Sequence, residues 1–317
     1  MKTMKWLIKR ELWEHKGMLF WAPAVIAGLI AALALTGIFL GHNANFSDDG
    51  QTMSIGTVTV EGAMRARIVE TASQAYMLSS LPIMMVLSFL VFFYCLSALN
   101  DERRDRSLLF WKSLPVSDLT TVMSKVALAL VVAPLITVAI GTVLSLVILL
   151  AGCLAMLVHG TNLFGALLTA PDLYLTPLRL VGLLPVYMLW ALPTVGWLLM
   201  VSSMARSKVF LWAVGTPLVV SLLLMWAEKA LHFGFNAGWF VTRVVDRILL
   251  GVIPGSWIIF EADTVSLHHE ANKLALPDTI FSASWGTLSG VSVWIGAAAG
   301  VAMIAAAVWM RRRREEG

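Results

Sequence analysis

Few residues in this 317-residue chain have types and spacings that could do chemistry. His268, His269 and Glu270 form the one cluster that suggests a metal. They are adjacent in sequence, so their side chains diverge on either a helix or a strand, and a solvated loop is the simpler reading. No Ser, His and Asp set and no pair of intramembrane carboxylates can be assembled, so no catalytic, cofactor-binding or metal residue is assigned. No Gly-x-x-x-x-Gly-Lys-Ser/Thr run occurs, so the chain lacks that device for cradling nucleotide phosphates. Cys95 and Cys153 both sit inside apolar runs, where they read as small core residues and not as a disulfide framework.

The chemistry left to consider is that of charges beside apolar surface. In Met4 to Lys16, Met4, Leu7, Ile8 and Leu12 share one helical face while Lys5, Lys9 and Lys16 lie on another. This is the pattern of a helix lying on a membrane surface, with Trp6 and Trp13 at headgroup level. Glu11, next to Arg10, projects from the middle of the apolar face. It either snorkels into the headgroups or meets a cationic partner within the chain, the candidates being Arg103, Arg104 and Arg106. Residues 101–118, DERRDRSLLFWKSLPVSD, begin charged and then carry Leu108, Leu109, Trp111 and Leu114 at near-helical spacing up to Pro115. Leu109, Phe110 and Trp111 beside charges suggest a docking surface for a protein partner, or side chains dipping into headgroups.

The elements that must position these residues are set by composition. With 59% apolar and 13% charged residues, the solvent for most of the chain is lipid, and a soluble enzyme is excluded. Six apolar runs are long enough to span: about 18–41, 77–99, 125–158, 179–203, 209–227 and 287–310. The first is too long for a signal-peptide core, and the third should tilt or extend beyond the bilayer. Pro134, Pro185, Pro193 and Pro217 inside the runs mark kinks or flexing points. The expected fold is an all-α membrane protein with an N-terminal interfacial helix at 1–17, a cytoplasmic loop at 100–124 and a long loop at 228–286.

With six spans, sixteen Lys and Arg fall on the side of both termini and seven on the other, so the termini are expected in the cytoplasm. The net charge of +4 is therefore a topology signal and not a footprint for nucleic acid. ILLGVIPGSWIIF at 248–260 is too short to span, and extending it would draw Arg243, Asp246 and Arg247 into the membrane. Residues 240–260 are expected to form an interfacial helix followed by a re-entrant segment. Small residues at four-residue spacing, Ala24, Gly28 and Ala32, then Ser282, Gly286 and Gly290, and Gly296 and Gly300, permit close helix approach within or between subunits.

At the 101–118 loop the sequence resembles the permeases of type 2 ABC exporters. Glu102-Arg103, Leu108, Leu114-Pro115-Val116-Ser117 and Lys125 match that family's pattern between its second and third membrane helices. Arg106-Ser107 departs from it, standing where Gly-Thr is usual. Arg10-Glu11 in a surface helix, the six-span count and the long last loop are similar too. The resemblance implies two permeases, identical or related, meeting face to face in the bacterial inner membrane. It also implies that Glu102 to Pro115 act as a coupling helix on a separate ATPase pair holding ATP and Mg. The cargo would be amphipathic: a lipid, a drug or an antimicrobial peptide. A secondary transporter or channel is the alternative, weakened by the lack of Asp, Glu, Lys or Arg in the spans away from their ends. A non-transporting anchor for a sensory complex would use the same docking loop.

Overall fold

A computed structural model describes residues 2–40, 46–48, 51–53, 76, 79–104, 116–158, 164–165, 169, 171–231, 236–261 and 277–313. Helix α1 (Lys2–Glu14) leads through a π-helical turn, Gly17–Trp21, into α2 (Ala22–Leu40). Two three-residue strands, Phe46–Asp48 and Gln51–Met53, pair antiparallel. There follow α3 (Leu81–Ser97), α4 (Asn100–Arg104), α5 (Asp118–Ala127), a π-turn at Leu128–Val132 and α6 (Ala133–Val158). Beyond these lie α7 (Pro171–Gly182), α8 (Leu184–Met204) and α9 (Val209–Leu231). A broken stretch comprises α10 (Ala237–Phe240), a third π-turn (Val241–Val245), α11 (Asp246–Leu250) and α12 (Ser256–Glu261). The chain closes with α13 (Pro277–Gly286) and α14 (Val291–Arg313).

Six helical stretches are long and apolar enough to cross a membrane: Gly17–Leu40, Leu81–Glu102, Asp118–Val158, Tyr174–Met204, Val209–Ala230 and Val291–Arg313. The third begins at Asp118, ahead of the apolar run, because Ser117 caps it by accepting a hydrogen bond from the Thr120 amide at 3.2 Å. Lys125 therefore lies two turns inside the helix and does not open it.

Two of the π-turns have a local cause. The amide of Ala22 bonds back to Gly17 and that of Ala133 to Leu128, and each of these residues directly precedes a proline, Pro23 or Pro134. A proline has no amide to give and crowds the carbonyl four residues back. A wider turn just ahead of it moves that carbonyl aside without ending the helix.

The core centres on the fourth span, which is the most enclosed, while the first and fifth are largely exposed. Trp190, Leu198 and Leu199 of α8 pack with Val91 and Tyr94 of α3, Leu128 of the second π-turn, and Ile304 and Ala307 of α14. Where lipid is as apolar as the side chains, close packing and polar links must hold helices together. The pair α8 and α14 meets at Gly196 and Gly300, where a Cβ on Gly300 would stand 2.7 Å from the carbonyl oxygen of Leu192. Gly28 of the first span, by contrast, has nothing within 4 Å of a Cβ position.

Candidate functional site

Seven of the eight side chains that build the site come from α1, the end of the second span, α5 and the end of α14. Leu7 and Glu11, one turn apart, form the inward face of α1. Glu11 is 1% exposed, with Tyr94 Oη donating to its Oε2 at 3.1 Å and Arg10 Nη2 donating to its Oε1 at 2.8 Å. Lys125, 2% exposed, donates from Nζ to Glu11 Oε1 at 3.0 Å and stands 3.0 Å from Glu102 Oε1. Glu102 in turn accepts from Arg311 Nη1 at 2.6 Å, and Arg311 Nε donates to Asp118 Oδ1 at 2.9 Å. His15 lies edge-on to Tyr94 at 5.0 Å, with its Nε2 3.9 Å from Glu11.

The charges alternate: Glu11, Lys125, Glu102, Arg311, Asp118. Each of the two inner cations lies between two carboxylates, which offsets the large cost of taking all five out of water. Nothing in this arrangement is a nucleophile or an open ligand site. Its capacity is mechanical, since it ties the N-terminal helix, the second and third spans and the last span together at one end of the bundle. Both described chain ends therefore lie at that same end. Ser202 adds the fourth span there, its hydroxyl accepting from the amides of Leu99 at 3.2 Å and Asn100 at 3.1 Å.

Among the described residues the partners of Glu11 are thus Lys125, its neighbour Arg10 and Tyr94. Arg104 is exposed, while Arg106 and the side chain of Arg103 fall outside the described residues. The docking candidates Leu108, Leu109, Phe110, Trp111, Leu114 and Pro115, and the cluster at His268 to Glu270, also lie outside them. Trp6 and Trp13 are exposed. No group of three His, Cys, Asp or Glu suited to a metal occurs among the described residues. Cys95 and Cys153 are buried and free.

In the sequence Arg311 is one of four consecutive arginines, Arg311 to Arg314, that count among the sixteen basic residues on the side of the termini. A readable trace of its burial existed, because Val293, Ala297, Gly300, Ile304, Ala307 and Arg311 form one helical stripe. Asp118 and Tyr94 gave no comparable signal.

A second charge is placed differently from expectation. Arg247, 8% exposed, lies over the ring of Trp190 at 4.4 Å, and its Nη1 donates to the Ser292 carbonyl at 2.6 Å. Thr194, midway along α8, donates to the Arg247 carbonyl at 2.9 Å. Gly296 leaves the space that the guanidinium fills, and Gly251 lets the following turn close on Trp190 and Thr194. The spans carry charges of their own only towards their ends, yet a cation from residues 236–261 sits between two of them beside Trp190.

No family model matches the sequence, and neither a curated protein nor a solved structure matches it significantly.

Proposed function

We propose that this chain is the membrane-spanning permease subunit of an ATP-driven exporter. In this reading it resides in a bacterial inner membrane with both ends in the cytoplasm and works as a pair with a second permease. Helix α1 lies on the membrane surface, residues 102–115 act as the coupling helix, and residues 240–260 form an interfacial helix and a re-entrant segment that does not cross the bilayer. A separate ATPase pair binds ATP and Mg, and the cargo is amphipathic.

The observation that carries this reading is the grip of Arg311 on both stems of the loop. Glu102 precedes the loop and Asp118 follows it, and one guanidinium holds the two carboxylates. A push on the loop would reach the last span through Arg311, the surface helix through Lys125, and the fourth span through Ser202. A loop meant only to connect two spans has no need of stems fixed by buried charges, which are costly to assemble. The positive-inside asymmetry and the match around Leu114-Pro115-Val116-Ser117 support the same reading.

Isolation of the tagged chain from its own membrane under mild detergent tests it. The reading expects a nucleotide-binding ATPase, itself without membrane spans, to accompany the chain in equal amount. Isolation of the intact chain with no ATPase would favour a sensory anchor or a secondary transporter instead.

A further inference from the structure

Helix α1 and the first span meet at the π-turn Gly17–Trp21, and beside this joint lies a groove of about 230 Å³ lined by Leu12, Trp13, Lys16, Phe20, Trp21 and Ile136. The lining is apolar throughout, Lys16 contributing its aliphatic stem. The Lys16 ammonium lies over the Trp13 ring at 5.5 Å. A π-turn admits one residue more than an α-turn, and here Phe20 and Trp21 stand edge to face at 5.6 Å along the wall. The exposed side of α1 is cationic, since Lys5, Lys9 and Lys16 are exposed, whereas Glu11 is turned inward and Glu14 lies 3.6 Å from Arg10.

We propose that the groove holds an acyl chain of one anionic phospholipid from the adjoining leaflet, with the headgroup phosphate at Lys16. Basic surface helices attract anionic lipid, and tryptophans settle at headgroup level. The groove adds a bounded place for the chain of that lipid. The proposal rests on the reading of α1 as a membrane-surface helix, and needs no ATPase.

Native mass spectrometry of the purified chain, titrated with dioleoyl phosphatidylglycerol or dioleoyl phosphatidylcholine, tests it. The wild type should retain phosphatidylglycerol more tightly. Lys16→Gln loses the charge while leaving a polar, unbranched side chain, and should weaken that lipid about fivefold while leaving phosphatidylcholine unchanged. Ile136→Trp fills the floor and should lower retention of both; if this variant is not monodisperse, Lys16→Gln alone decides. Equal retention of the two lipids by the wild type, no change in Lys16→Gln, or a second copy of the chain displacing lipid would each overturn the proposal. The depth of α1 is read separately, from quenching by spin-labelled lipid of a fluorophore on Lys5→Cys. Quenching without lipid preference would sink the groove and spare the surface helix, and neither result bears on whether an ATPase co-isolates.

Discussion

At the scale of single residues, the account depends on Lys125 and its carboxylates. Removing one member of a buried ionic network leaves a charge without compensation, at a cost of about 3–5 kcal/mol. Lys125→Met is therefore expected to lower the melting temperature in detergent steeply. Glu11→Gln combined with Lys125→Met should cost less than the sum of the two, as coupled sites do. Additive losses in that double-mutant cycle would contradict the contact. Arg104→Ala, at an exposed position, should change stability by no more than about 0.5 kcal/mol. Sequence reasoning found half of this pair. A carboxylate in the middle of an apolar helical face announces that a cation must reach it, but periodicity carries no information about which distant residue does so. Lys125 stood out only through a family pattern, and Arg311 was concealed in a run of four arginines whose bulk has an independent use as a topology signal.

At the scale of elements, glycine is the informative residue. Gly28 and Gly300 belong to similar small-residue stripes, and the sequence treats them alike. Their surroundings differ, because Gly300 faces the backbone of Leu192 while Gly28 faces open space. Gly300→Ala should cost about 1–3 kcal/mol through forced separation of α8 and α14. Gly28→Ala should be neutral or slightly stabilising, since alanine favours the helix by about 1 kcal/mol. Thermal unfolding of the two variants side by side checks this, and equal losses would contradict the packing. Ser117→Ala should cost about 1 kcal/mol by removing the cap of α5. That serine was visible as part of Leu-Pro-Val-Ser, and its physical role is to cap the helix that begins the third span. The π-turns at 17–21 and 128–132 were hidden for the opposite reason. Proline marks a disturbance in a membrane helix, but whether a kink or a wider turn absorbs it depends on what packs alongside.

At the scale of the whole molecule, the six-span count was legible because hydrophobic length is a strong signal and polar stretches separate the runs. The placement of residues 236–261 was only partly so. They contribute none of the six long apolar stretches, as their short apolar run suggests, yet they carry Arg247 to a buried place between α8 and α14, which composition alone does not reveal. With both chain ends at one end of the bundle, reporters fused before Met1 and after Gly317 should respond alike, as cytoplasmic. A reporter after Gly317 active only in the periplasm would reverse the orientation. The central claim is that the loop between Arg104 and Val116 passes ATP-driven motion to the spans, and ATP hydrolysis by the complex isolated through a tag on this chain tests it most directly. Hydrolysis should co-elute with the wild type and be lost when Leu109, Phe110 and Trp111 are replaced together by alanine, with the variant chain still inserted and monodisperse. Hydrolysis that persists at the wild-type rate in the triple variant, or that never accompanies the wild-type chain, would contradict it.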